Sequence, residues 1–284
     1  MKPNVFRDQV VIVTGASAGS GKALALQLAR QGAKVAIAAR RAERLEQTAS
    51  ECRALGGEVL VVPTDVSDEI QCRALVEKTV AAFGRLDMLI NNAGLAASAL
   101  FDEFPDLTLF RHTMDVNLYG AVYCTYYALP HLKRCRGRIV AISSLGGKVT
   151  IPYNTPYCAS KYGMHGFYDS LRMELYQHGV SVTVICPWWV VTEFHTAQLT
   201  RDGTPRGRLH GRDMYTDKMM SAERCAEITL QAAHQRRREV LMGPGALAVW
   251  LKLLAPGFMD WLTVNVFMEA AARRARAAQA KRGS

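Results

Sequence analysis

Tyr157 and Lys161 stand four residues apart in the stretch Tyr153-Asn154-Thr155-Pro156-Tyr157-Cys158-Ala159-Ser160-Lys161. Thr155 is the expected helix N-cap and Pro156 the first helical position, where a missing N–H costs nothing. On such a helix the phenol and the ammonium share one face. A free tyrosine has a pKa of roughly 10, too high for acid–base work near neutral pH. An ammonium held close favours the phenolate and lowers that pKa toward the working range. Tyr-x-x-x-Lys alone also arises by chance, as two solvated side chains. Its weight depends on what the elements upstream bring to it.

Those elements repeat one rhythm. Gln9–Thr14 is a short apolar, β-branched run that reads as a buried strand. It runs into Gly15-Ala16-Ser17-Ala18-Gly19-Ser20-Gly21, then a helical pattern over 22–31 closed by Gly32. Glycines there let the backbone approach a pyrophosphate, and the helix N-terminus offers free N–H groups and a positive dipole end. The spacing is Gly-x-x-x-Gly-x-Gly rather than Gly-x-Gly-x-x-Gly; a plain tight turn is the alternative. Strands follow at 34–39, 58–62 and 86–90, with helices at 41–55 and 67–83, the last capped by Ser67. A long helical region over 101–132 contains Asn117. A fifth strand ends at Ser143-Ser144, the Tyr157 helix runs over 155–178, and a sixth strand covers 180–186. Strand–helix alternation predicts right-handed crossovers and an α/β fold: a doubly wound parallel sheet in three layers. Ligands on such sheets lie beyond the carboxyl ends of the strands, where Gly15, Arg40, Asp65 and Asn91 fall.

The end of the second strand reads Ala38-Ala39-Arg40-Arg41. An acid there would bind the ribose hydroxyls of NAD and repel a 2′-phosphate. None is present, and two guanidiniums are placed to meet a phosphate, so the expected coenzyme is NADP(H).

In this order the motifs Thr14-Gly15-x-x-x-Gly19-x-Gly21, Asp65-Val66, Asn91-Asn92-Ala93-Gly94, Asn117, Ser143-Ser144 and Tyr157-x-x-x-Lys161 make the chain resemble the short-chain dehydrogenase/reductase (SDR) family, over about residues 8–242. The resemblance implies an NADP(H)-dependent oxidoreductase interconverting a ketone or aldehyde and an alcohol. Tyr157 would be the acid/base and Ser144 would stabilise charge on the substrate oxygen. Lys161 would assist Tyr157 and hold the nicotinamide ribose, and Asn117 would hold a relay water. Gly15, Ser17, Gly19, Ser20, Gly21, Arg40, Arg41, Asp65, Val66, Asn92, Ala93, Gly94, Pro187 and Thr192 would line the coenzyme. Leu145, Trp188, Trp189 and Phe194, with Ser144 and Tyr157, would line the substrate. Trp188 stands where the family usually has glycine after Pro187, which opens an aromatic pocket or crowds the nicotinamide. A non-catalytic NADP-binding sensor is the alternative, and the full Ser144, Tyr157, Lys161, Asn117 set argues against it.

The expected domain runs over 1–243, with a polar substrate loop at 193–220. Residues 244–284 form a helical extension whose start is apolar and aromatic and whose end is basic, with Arg273, Arg274, Arg276, Lys281 and Arg282. It reads as packing on its own domain, a pocket cover, a subunit contact or an in-plane membrane anchor beside anionic lipid. The seven cysteines form no C-x-x-C pair, and the first ten residues hold no apolar signal core. Both point to a reduced, cytoplasmic protein with no metal site. The net charge of +10 comes from scattered basic residues without a nucleic-acid motif, so no nucleic-acid partner is expected. A homodimer or homotetramer is expected from the resemblance.

Overall fold

The computed structural model describes residues 4–207, 219–243 and 245–265. Nine strands are described: β1 (Val10–Thr14), β2 (Lys34–Ala39), β3 (Glu58–Pro63), β4 (Met88–Asn91), β5 (Arg138–Ile142), β6 (Ser181–Cys186), β7 (Val190–Val191), β8 (Met220–Ser221) and β9 (Glu239–Leu241). Ten α-helices connect and flank them: α1 (Gly19–Arg30), α2 (Ala42–Ala54), α3 (Glu69–Phe83), α4 (Thr108–Met114), α5 (Gly120–Cys135), α6 (Thr155–Glu174), α7 (Phe194–Ala197), α8 (Ala222–His234), α9 (Gly245–Leu254) and α10 (Pro256–Thr263). Seven strands form one sheet in the order β3-β2-β1-β4-β5-β6-β9, every neighbouring pair parallel.

A parallel sheet covered on both faces needs apolar residues at successive positions, not alternating ones. All five residues of β1 are buried. Val10 and Ile12 face one core with Leu89, Ile139, Leu132 and Tyr168. Val11 and Val13 face the other with Leu24, Leu28, Ile37 and Leu230. The strand order reverses between β1 and β4, and that switch point opens a crevice at the carboxyl ends.

Several helix boundaries depart from the expectations: α1 starts at Gly19 and is capped by Gln31 rather than Gly32, and α6 ends at Glu174, before a 3₁₀ turn over Tyr176–His178. The N-cap of α6 is Asn154, with Thr155 already helical, and the cap makes no side-chain bond. The Asn154 carboxamide instead accepts from Gln198 Nε2 at 2.8 Å. Asp68, not Ser67, caps α3, accepting from the Ile70 and Gln71 N–H groups, because Asp65 already engages the Ser67 hydroxyl at 2.7 Å. The region 101–132 is not one helix. A five-residue π turn at Asp115–Tyr119 separates α4 from α5 and carries Asn117, a local widening that re-aims side chains. In the segment 193–220 the described residues include the short α7. Leu199 is bridged to Ala97 and to Pro205; residues 208–218 of the expected loop lie outside the described residues.

Candidate active site

The glycine turn is built by close approach. A Cβ on Gly21 would stand 2.2 Å from the Gly15 carbonyl oxygen, and one on Gly15 2.9 Å from Ala93 Cα. Gly15 also has φ +68°, which side chains rarely adopt. Thr14 ties this turn to the end of β4: its hydroxyl accepts from the N–H groups of Asn92 and Ala93, both at 3.0 Å. Asn92 Nδ2 returns a bond to the Thr14 carbonyl at 2.9 Å. The N-cap of α1, Ala18, has no side-chain cap bond, so the first N–H groups of α1 are open to an anion. Thr192 packs on Gly19, and a groove of about 320 Å³ runs from them along α1 past Lys22 and Leu26, walled by Val191 and by Ala222 at the start of α8. Asp65 Oδ1 accepts from Ser67 at the end of β3, and Val66 is buried against Gly120. Arg40 and Arg41 are exposed beyond β2; Arg41 donates to Ser17 Oγ at 3.4 Å, while Arg40 has no hydrogen bond or ion pair among the described residues. This crevice fits a dinucleotide.

The catalytic candidates converge at its inner end. Lys161 is buried; its Nζ donates to the Ile142 carbonyl at 2.9 Å and lies 5.8 Å from the centroid of the Tyr157 ring. A Cβ on Gly94 would lie 3.2 Å from Asn117 Oδ1 and 3.7 Å from Lys161 Nζ, so Gly94, Asn117 and Lys161 meet. Asn117 is fully buried and committed: Oδ1 accepts from Leu95 N at 2.8 Å, and Nδ2 donates to Leu95 O and Ser160 Oγ, each at 2.9 Å. Ser160 in turn donates to the Tyr157 carbonyl at 2.7 Å. Ser144 begins a short 3₁₀ turn and accepts from Gly146 N at 3.0 Å. The Tyr157 ring lies over Gly146, where a Cβ would come within 3.2 Å of it.

The electrostatics differ from the expectation. Burial pushes the Tyr157 phenol up to about 12, and hydrogen bonding with Ser144 works against that push. Burial also drives Lys161 down to about 8. Lys161 does not lower Tyr157 here, because its ammonium is turned to the Ile142 carbonyl. The phenol is therefore a firmly protonated donor at neutral pH.

The substrate-lining candidates separate. Phe194 meets Tyr157 at 5.9 Å between ring centroids, and Trp189 stacks on His195 at 5.1 Å. Trp188 packs instead on the core and on Gly243, and Leu145 is buried beneath the start of α9. Pro187 accepts from Leu145 N at 3.2 Å, joining the end of β6 to the Ser144 turn.

His165, one further turn along the Tyr157–Lys161 stripe, is a buried polar residue that the Tyr-x-x-x-Lys spacing does not include. Its Nε2 faces Ser143 Oγ at 3.1 Å and Cys186 Sγ at 3.6 Å, while Nδ1 faces Glu239 Oε1 at 3.5 Å. The two ring nitrogens point to different partners, so the group is a polar file and not a chelating set. Burial, the first cause, and then Lys148 push His165 down to about 4. A polar residue four positions after Lys161 was the available signal.

Residues 9–202 match the family model described as short chain dehydrogenase. The chain belongs to the short-chain dehydrogenase family. It is 35% identical over 277 residues to an 11-beta-hydroxysteroid dehydrogenase of Pinus massoniana, covering 94% of this chain and 78% of that protein. It is 33% identical over 262 residues to the 11-beta-hydroxysteroid dehydrogenase-like 2 of Arabidopsis thaliana, covering 92% and 82%. A Burkholderia phymatum short-chain dehydrogenase/reductase solved in complex with NAD superposes with a TM-score of 0.78 at 28% identity, over 87% of this chain and 94% of that one. An alcohol dehydrogenase from Thermococcus sibiricus complexed with 5-hydroxy-NADP gives 0.71 at 27% identity, over 82% and 95%. As a short-chain dehydrogenase the chain is an oxidoreductase of the nicotinamide class.

Proposed function

We propose that this short-chain dehydrogenase is an NADP(H)-dependent carbonyl reductase, reversible toward the alcohol, acting on a lipophilic ketone or aldehyde. The observation that carries it is the meeting of Tyr157, Ser144 and Phe194 above a buried Lys161 and Asn117. The coenzyme supplies the hydride when bound. Tyr157 gives its hydroxyl proton to the carbonyl oxygen, and Ser144 donates a hydrogen bond to the same oxygen as negative charge develops. A phenol pushed up to about 12 suits the reducing direction, since it arrives protonated. Lys161, down at about 8, holds at Nζ a proton that it can release near neutral pH. Asn117 fixes the floor of the site through Leu95 and Ser160.

Arg40, unengaged among the described residues, and the absence of an acid at the end of β2 support NADP(H) over NAD(H). The apolar Phe194 wall and the similarity to proteins named 11-beta-hydroxysteroid dehydrogenases support a lipophilic substrate. The test is NADPH consumption across a panel of lipophilic ketones, aldehydes and their alcohols. Turnover with at least one ketone supports the reading. Tight NADPH binding with no turnover on any of them would favour a coenzyme-binding sensor.

A further inference from the structure

Helix α9 lacks the polar outer face that a water-exposed helix needs. Its inner side is accounted for. Gly245 sits so close to Leu145 that a Cβ would overlap it, and Ala248 and Val249 pack on the sheet core. Lys252 reaches back to the Lys148 carbonyl at 3.2 Å and to the Tyr162 hydroxyl. The outer side is Leu247, Trp250, Leu253 and Leu254, at 74%, 62%, 68% and 80% exposed. On α10, Phe258 and Trp261 stack at 5.7 Å and remain 53% and 59% exposed. Scattered exposed apolar residues need no explanation, but six large ones on two consecutive helices form a patch that calls for a cover.

We propose that this face docks in the plane of an anionic lipid bilayer. Three observations select lipid over a protein partner. Both indoles lie on the patch, the residue type that settles at a membrane–water boundary. Beyond residue 245 the sequence carries six basic residues, Lys252, Arg273, Arg274, Arg276, Lys281 and Arg282, against Asp260 and Glu269, a balance that complements anionic headgroups. The helices are ten and eight residues long, too short to cross a hydrocarbon core of about 30 Å, and among the described residues no helix can cross one. A large apolar face on short helices with basic flanks is the makeup of an in-plane anchor. The docking stands independently of the substrate proposed above.

The experiment is co-sedimentation of the full chain with vesicles of phosphatidylcholine alone and of phosphatidylcholine with phosphatidylglycerol. It is paired with quenching of indole emission by phospholipids brominated along the acyl chain. The full chain is expected to pellet with the anionic vesicles, to be quenched, and to be released by salt. The triple variant Trp250→Ser, Leu254→Ser, Trp261→Ser should bind at least about tenfold more weakly while keeping its affinity for NADPH. Quenching of the unaltered chain needs no variant and guards against misfolding. The proposal is overturned if the unaltered chain stays in the supernatant without quenching, or if it binds neutral vesicles equally well. It is also overturned if the triple variant loses a dimer in sedimentation velocity while vesicle binding is absent or unchanged, since the face would then meet a second copy.

Discussion

Burial acts in opposite directions on the two ionisable groups of the site, raising the Tyr157 phenol to about 12 and lowering the Lys161 ammonium to about 8. The lysine leaves a signature in stability. In the coenzyme-free protein the folded chain binds fewer protons than the unfolded chain between about pH 8 and the ordinary lysine value near 10.5. Stability carried by this group therefore rises with pH through that window and is depressed below it. Against Lys161→Met, urea titrations at pH 7 and pH 9.5 should show the wild type gaining stability relative to the variant. The limit is on the order of 3 kcal/mol. A flat difference would mean that the ammonium is not desolvated. At the coenzyme end, Arg40→Asp should move the preference from NADPH toward NADH by about tenfold or more, read as the ratio of kcat/KM values. An unchanged NADPH preference would mean that Arg40 does not read the phosphate. Tyr157, Lys161, Ser144 and Asn117 were legible because their spacing fixes them on elements of known order. The direction of the tyrosine shift was not, because it depends on how deeply the hydroxyl sits and on where the lysine turns.

Elements hold those residues by backbone devices that differ in how visible they are in sequence. The Gly15–Gly21 turn announces itself, and its geometry explains why a longer side chain fails. Gly21→Ala would drive a Cβ into the Gly15 carbonyl and Asn92 Nδ2. It should cost roughly 1–3 kcal/mol of stability and weaken coenzyme binding, by thermal melts and fluorescence titration. Gly166→Ala is the contrasting case: the position lies mid-way along α6 and faces open space. A gain of up to about 1 kcal/mol is expected there from helix propensity alone. The π turn at Asp115–Tyr119 was invisible, since no residue type signals it. It arises where buried Asn117 is pulled onto Leu95 and Ser160. The cap of α3 moved from Ser67 to Asp68 for a similar reason, a competing bond from Asp65.

At the scale of the molecule, a seven-stranded parallel sheet gathers Gly15, Arg40, Asp65, Asn92 and Ser144 at one edge, and apolar strand runs made that legible. The extension beyond residue 243 was harder to read, because composition cannot say which side of a helix meets the domain. Its inner side closes over Leu145, the neighbour of Ser144, so it belongs partly to the domain. Removing residues 245–284 should expose Leu145, lower the melting temperature and abolish ketone reduction. Coenzyme binding at the Gly15 turn, on the far side of the strand-order reversal from Leu145, should survive. Loss of NADPH binding in that truncation would show that the extension supports the whole sheet. The most direct test of the account is a side-by-side rate of NADPH oxidation with a reactive ketone for the wild type and Tyr157→Phe, with coenzyme affinity measured in the same samples. Tyr157→Phe is expected to lose about a hundredfold or more in kcat with NADPH affinity retained. A Tyr157→Phe enzyme that turns over at the wild-type rate would contradict it.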